Sequence, residues 1–164
     1  MAPFIRPGAA LAEIETVYRL RFSEFCAVAA GILRDREQAR DAVQDAFAKA
    51  VRDRREYRRE GPLDAWLWRV VVNTALTERR KRATDLGPGH PENGATHDEA
   101  ELDDVRAAIQ SLPERQRLVV FLRYWADLDY AAIADVLAIA PGTVAASLHA
   151  AHRSVRNRLQ EVHT

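Results

Sequence analysis

Cysteine is nearly missing: Cys26 stands alone among 164 residues. One thiol excludes an internal disulfide and any cysteine-rich zinc site. Its place in an apolar stripe marks it as a small core residue. Long hydrophobic runs are missing too. No apolar stretch approaches the ~18 to 20 residues of a membrane span, and the opening MAPFIRPGAALAE lacks the apolar centre of a signal peptide. A cytoplasmic protein without membrane insertion is expected. No nucleophile stands beside a base, and no phosphate-binding glycine loop or metal-ligand spacing is present, which points away from an enzyme and from any cofactor. His149 and His152, at i and i+3, have no third ligand in view and read as surface histidines. Net charge is missing as well, since 24 Lys+Arg balance 24 Asp+Glu.

That neutrality argues against nucleic acid as a partner until its distribution is read. Up to Leu86 there are 17 Lys+Arg against 13 Asp+Glu, a net of +4. From Gly87 onward there are 7 against 11, a net of −4. A basic half and an acidic half cancel, and the split says more than the sum. Hydrophobic content of 48% and charged content of 29% fit a globular protein. The length allows one medium domain or two small ones.

The periodicity is helical throughout. Leu11 to Leu33 carries the stripe Ile14, Tyr18, Phe22, Phe25, Ala29, Ile32 and Leu33. After a break at Arg34 to Arg36, a second helix from about Glu37 to Arg52 turns Ala39, Val43, Ala46, Phe47, Ala50 and Val51 inward and Asp41, Gln44 and Asp45 outward. The loop DRREYRREGPL sets Arg54, Arg55, Arg58 and Arg59 around Tyr57, charge for phosphates and a ring for a base. Gly61-Pro62 closes it. The helix from Asp64 to Arg82 has two faces. Leu63, Leu67, Val70, Val71 and Thr74 suit a core. Trp66, Arg69, Asn73, Thr77 and Arg80 suit base stacking and phosphate contact, and the run Arg79, Arg80, Lys81, Arg82 adds charge. A solvated face with a half-buried tryptophan is the alternative.

The segment TDLGPGHPENGATHDE reads as a flexible linker, followed by an acidic cluster of Asp98, Glu99, Glu101, Asp103 and Asp104 at a helix start. Leu102, Val105, Ala108, Ile109 and Leu112 form the next stripe. Ser111-Leu112-Pro113-Glu114 has the form of a capped helix start, leading to Leu118, Val119, Phe121, Leu122 and Trp125. Asp129 caps a short helix with Ile133, Val136 and Leu137. A turn from Ala138 to Gly142 precedes a last helix with Val144, Leu148, Ala151, Val155 and Leu159 inward. Short helix, tight turn and longer helix make a helix-turn-helix, whose second helix enters the major groove.

Three segments carry a family resemblance. They are Asp41-Ala42-Val43-Gln44-Asp45-Ala46-Phe47, Ala65-Trp66-Leu67-Trp68-Arg69 with Asn73 and the basic run, and LPERQRLVVFLRYWADLDYAAIADVL with Gly142-Thr143-Val144. Together they resemble regions 2 and 4 of bacterial RNA polymerase sigma factors of the extracytoplasmic-function (ECF) type, over about Ile14 to Leu159. The resemblance implies an all-α protein of two small helical domains: 11–83, a flexible linker at 84–100, and a helix-turn-helix domain at 101–162. It implies that Asp41, Gln44 and Asp45 dock on the clamp helices of core RNA polymerase. It implies that the Arg54–Arg59 loop, Trp66, Arg69, Asn73 and Arg79 to Arg82 meet the promoter −10 region, and that Thr143, His149, Arg153 and Arg156 face the −35 element. Core polymerase, promoter DNA and an anti-sigma factor are the implied partners.

The chain departs from its family at the turn and recognition helix. Ala138 replaces a common glycine, Ala140 a capping serine, and Ala145, Ser147, Ala150 and His152 four commonly basic positions. Each lost cation removes a phosphate contact. A sigma-like interaction protein with weak or absent −35 binding is therefore the alternative function.

Overall fold

The computed structural model describes residues 8–86 and 100–162, with positions 86 and 100–103 by backbone alone. The described residues form helices α1 (Leu11–Leu33), α2 (Arg36–Arg52), α3 (Leu63–Leu86), α4 (Ala100–Gln110), α5 (Glu114–Tyr124), α6 (Tyr130–Leu137) and α7 (Pro141–Val162), with a 3-10 turn at Arg54–Glu56. The all-α expectation holds. Thr84, Asp85 and Leu86 belong to α3 rather than to a linker, because no glycine or proline interrupts the helix before Gly87. The rest of the expected linker, with Asp98 and Glu99, lies outside the described residues.

The first three helices pack on one aromatic cluster. Phe25 of α1 lies 4.1 Å from Trp68 of α3 and 5.1 Å from Phe47 of α2, and Tyr18 lies 4.9 Å from Phe47. Edge and tilted pairs of this kind add about 0.5 to 1.5 kcal/mol each beyond their buried area. The predicted α1 stripe is buried at Ile14, Phe25, Ala29, Ile32 and Leu33, while Tyr18 and Phe22 pack at its margin. Helix α2 starts at Arg36 because Asp35 caps it, its carboxylate accepting the Gln38 N–H at 2.9 Å. Cys26 packs at the core edge, and burial pushes its thiol above the usual cysteine range.

A second buried stripe on α3 was not expected. Trp68, Val72 and Ala75, at i, i+4 and i+7, are as buried as the predicted stripe, so α3 is covered on two sides. Trp68 is covered by Phe25 of α1, and α5 and α6 of the second half pack directly on the first three helices. α5 lies against α1 and α6 against α3. At the first contact, the Phe121 ring occupies the space where a side chain at Gly31 would stand. Arg21, in a non-helical kink of α1 (φ −125°, ψ 16°), donates to Asp64 at 2.9 Å and to the Ala126 carbonyl at 2.7 Å.

Several expectations for the second half need correction. Ser111 does not cap α5. Its hydroxyl donates back to the Ala108 carbonyl at 2.7 Å, and Pro113 holds the cap position without a side-chain bond. A serine hydroxyl competes equally for either helix end, and here the preceding helix wins. Trp125 is 41% exposed and Val105 38% exposed, so neither is core. Trp125 lies past the end of α5 and stacks edge-on to Phe121 at 5.3 Å. Asp129 caps α6 as expected, accepting the Ala132 N–H at 2.8 Å. α7 begins at Pro141, earlier than the Thr143 expected, which shortens the turn to Ala138–Ala140.

Candidate nucleic-acid and polymerase interface

On α2, Asp41, Gln44 and Asp45 are all exposed, while Ala42, Val43, Ala46 and Phe47 beneath them are buried. The helical period places the three polar groups on one open surface. They make no side-chain bond among those found for the described residues, so their hydrogen-bonding capacity faces outward.

On α3, Arg69, Asn73, Thr77 and Arg80 are exposed on one face, with Trp66 half-buried at its head. The Thr77 hydroxyl donates to the Asn73 backbone carbonyl at 2.7 Å, and the Asn73 side chain is exposed. The basic run does not act as a block. Arg79 falls on the stripe of Trp68, Val72 and Ala75, and its guanidinium pairs with Glu114 of α5 at 2.6 Å. Arg82 turns back to the Leu33 carbonyl at 3.4 Å. Lys81 pairs with Glu78 at 3.5 Å. The 100° step of the helix spreads four consecutive cations around its circumference, so Arg80 alone of the four joins the Asn73 face.

The loop before α3 is folded rather than open. Tyr57 is 8% exposed, with its hydroxyl donating to the Gly61 carbonyl and its ring 5.6 Å from Trp66. A buried ring does not offer a face to a base in this conformation. Arg54 donates to the Val51 carbonyl at 2.9 Å. Arg59 pairs with Glu13 at 2.8 Å, and the Arg59 guanidinium holds the Glu13 carboxyl below the usual glutamate range. Arg55, Arg58 and Arg59 are the loop cations exposed to solvent, and of these Arg59 is held in the ion pair with Glu13.

In the helix-turn-helix, one of the positions that departed from the family, Ala138, has an unfavourable backbone conformation. Ala138 is left-handed, with φ 54° and ψ 46°. A Cβ in that region costs roughly 1 to 2 kcal/mol relative to glycine. Ala140 accepts the Thr143 N–H at 2.9 Å through its backbone carbonyl, but its methyl offers no cap to the free N–H groups of α7. His149, Arg153 and Arg156 are exposed on the outer side of α7, beside Ala145 and Ala146; Thr143 is half-buried at its start. Ser147 is buried at 9% exposure, so a long cation there would have to displace core. His152 leaves the outer face, its ring nitrogen 2.8 Å from the Tyr124 hydroxyl.

Two features gave no signal in the periodicity. Arg117 is buried at 5% exposure and donates to the Gln110 and Leu112 carbonyls at 3.2 and 3.3 Å, tying α4 to α5. A mainly apolar groove of about 1020 Å³ runs between α4, α5 and α7, with Ile109, Val120, Trp125 and Leu159 on its apolar wall and His152 and Arg156 among its lining residues, so Arg156 borders this groove as well as solvent. The exposure of Tyr124 and Trp125 at its rim was the available clue. Among the described residues, no three His, Cys, Asp or Glu side chains come together as a metal site. No single helix there is long and apolar enough to cross a membrane.

This pairing of a three-helix unit with a helix-turn-helix is that of a transcription initiation factor. The family model for sigma-70 region 2 matches residues 18–84, and that for sigma-70 region 4 matches residues 102–155. The chain is 32% identical over 146 residues to the RNA polymerase sigma-H factor of Pseudomonas aeruginosa, covering 77% of this chain and 75% of that protein. It is 31% identical over 169 residues to the ECF RNA polymerase sigma factor SigL of Mycobacterium tuberculosis, covering 94% and 95%. The chain belongs to the ECF group of RNA polymerase sigma factors. Two solved structures share the fold. One is the sigma factor RpoE of Bartonella quintana in complex with the anti-sigma factor NepR, at TM-score 0.80, 23% identity, and 92% and 98% coverage. The other is CnrH in complex with the cytosolic domain of CnrY, at TM-score 0.71, 19% identity, and 93% and 91% coverage. Sigma factors are non-catalytic initiation factors that bind core RNA polymerase and promoter DNA.

Proposed function

We propose that this chain docks on core polymerase through Asp41, Gln44 and Asp45 and opens promoters at the −10 region with the outer face of α3. The observation that carries the reading is the pair of exposed polar faces on α2 and α3, each backed by buried apolar residues, within a chain matching both sigma regions. Trp66, Arg69, Asn73 and Arg80 supply a ring, a cation, an amide and a second cation along one line, which suits bases and phosphates together. Arg55 and Arg58 extend that line into the loop. The working division is a first unit that ends with α3 at Leu86, a connecting segment at 87–99 and a helix-turn-helix unit that begins with α4 at Ala100, with no catalytic step and a cytoplasmic site of action. An anti-sigma factor is the expected regulator, as the structural neighbour RpoE is bound by the anti-sigma factor NepR. The groove rimmed by Tyr124 and Trp125 has the form that receives the apolar face of a partner helix.

Run-off transcription with core polymerase tests the reading. Wild type should support initiation, and Asp41→Lys with Asp45→Lys should abolish core binding while helicity stays unchanged. Unaltered affinity for core would remove these residues from the interface. The second reading, an interaction protein without competent −35 contact, is favoured by the exposed Ala145 and Ala146 on α7. Binding to core without any transcript from purified components would support it.

A further inference from the structure

The segment before α1 is bonded to the loop before α3 at three points, and the first turn of α1 adds an ion pair through Glu13. The Gly8 N–H donates to the Tyr57 carbonyl at 2.9 Å and the Ala9 N–H to the Arg54 carbonyl at 2.8 Å. Arg59 Nε donates to the Gly8 carbonyl at 3.0 Å, and its Nη2 to Glu13 Oε2 at 2.8 Å. The same Glu13 oxygen accepts the Ala10 N–H at 2.7 Å, which fixes the carboxylate at the head of α1. Gly8 is required twice. Its φ of +105° is disfavoured for a residue with a Cβ, and a Cβ there would stand 2.9 Å from the Arg54 carbonyl oxygen and 3.0 Å from Arg55 Cα.

The chain of contacts continues to α3. The Arg59 guanidinium lies 5.8 Å from the Tyr57 ring centre, and the Tyr57 ring lies 5.6 Å from Trp66. Trp66 heads the face that carries Arg69 and Asn73. Glu13, Arg59, Tyr57 and Trp66 thus form one supported line from the N-terminal segment to the candidate DNA surface. Arg59 itself is held left-handed, with φ 58°, a conformation that persists only where the surroundings fix it.

We propose that Gly8–Glu13 is a positioning element for single-stranded DNA capture. It rests on the sigma reading given above. The segment holds the Asp53–Pro62 loop in its binding shape before DNA arrives, so that Arg55, Arg58 and Trp66 meet the unpaired strand without ordering a charged loop at that moment. Pre-ordering improves affinity by removing the conformational entropy lost on binding. Glu13 acts through Arg59 and Tyr57 and touches no DNA. Tyr57 serves as the buried support of the loop.

The test uses holoenzyme assembled from the full chain and core polymerase, with a fluorescent single-stranded oligonucleotide carrying the non-template −10 sequence of a promoter that the wild type opens. Gly8→Val and Glu13→Ala should each weaken oligonucleotide binding roughly tenfold, as loss of pre-organisation predicts. Core affinity and thermal midpoint should stay near wild type, which separates positioning from unfolding. Unchanged binding by Gly8→Val and Glu13→Ala would overturn the proposal. So would tighter binding by Glu13→Ala, since it would mean that Glu13 only masks a phosphate contact of Arg59. A wild-type holoenzyme that opens no promoter would instead overturn the sigma reading beneath it.

Discussion

α3 and α7 are the two helices proposed to face DNA, and they are built to different standards. α3 is clasped on two sides, by the stripe through Leu67 and Val71 and by that through Trp68 and Val72. Its open face carries Arg69, Asn73 and Arg80. α7 follows a strained left-handed Ala138, starts without a side-chain cap at Ala140, and opens Ala145 and Ala146 to solvent. The half of the chain with α3 is net +4 and the half with α7 net −4. Affinity for polyanionic DNA follows cations and their released counterions. It should therefore reside mainly in α3, with α7 held near its target by polymerase. Tethering raises local concentration enough to use a weak contact.

The largest effect should come from separating the two units. Gly31→Leu would drive a branched side chain into the Phe121 ring. Overpacking of this kind costs about 1 to 3 kcal/mol, and parting α5 from α1 would relieve it. An increased radius in small-angle scattering, with helicity retained, is the expected result. The same change should free Arg79 from Glu114. A radius equal to wild type would mean that the interface accommodates the leucine.

Next, replacing Arg80 and Lys81 by Ala should weaken open-complex formation on every promoter by roughly an order of magnitude and flatten its salt slope by about 0.9 per lost contact. Arg80 should account for most of it, because Lys81 lies off the Asn73 face and pairs with Glu78. Asn73→Ala should instead change the preference among −10 sequences, since base-edge contacts carry specificity. Equal transcription by all three variants would make the α3 face structural only.

The comparison sharpens when charge is added to α7. Ala145→Lys with Ala150→Arg should tighten binding of the full chain to −35 duplexes and make it more salt-dependent, measured by titration at two salt concentrations. Ser147→Arg should not help, because Ser147 is buried; it should lower the thermal midpoint. Tight, sequence-specific binding by the unmodified chain would show that apolar contacts and His149 read DNA well without these cations.

The smallest effects concern local strain. Ala138→Gly should stabilise α6 and α7 by about 1 kcal/mol, by removing a Cβ from the left-handed region. Ala140→Ser should add about 0.5 to 2 kcal/mol by capping α7. Both are read as a rise in denaturant midpoint with unchanged slope. No rise from Ala138→Gly would mean that glycine's extra freedom in the unfolded chain offsets the relief.

By itself the sequence determined the helices, their apolar faces and the two outward polar faces, because side-chain alternation with a period of 3.6 residues is a local property that burial then obeys. The sequence marked Ala138 as a departure from the family resemblance, but its left-handed conformation is seen only in the structure. What only the tertiary structure decided is how the faces are shared. The stripe of Trp68, Val72 and Ala75 is core only because another surface covers it, and nothing local to α3 says so. Arg79 looked like its neighbour Arg80, yet Glu114 of α5 claims it. Tyr57 looked like a ring for a base, yet the loop folds over it and the segment at Gly8 locks it there. Ser111 had the form of a cap, and the preceding helix took its hydroxyl. Arg79 had a near surface and a distant partner to choose from, and only the packed chain brings the distant one within bonding reach; Ser111 and Tyr57 had competing local partners, and the observed conformation selects among them.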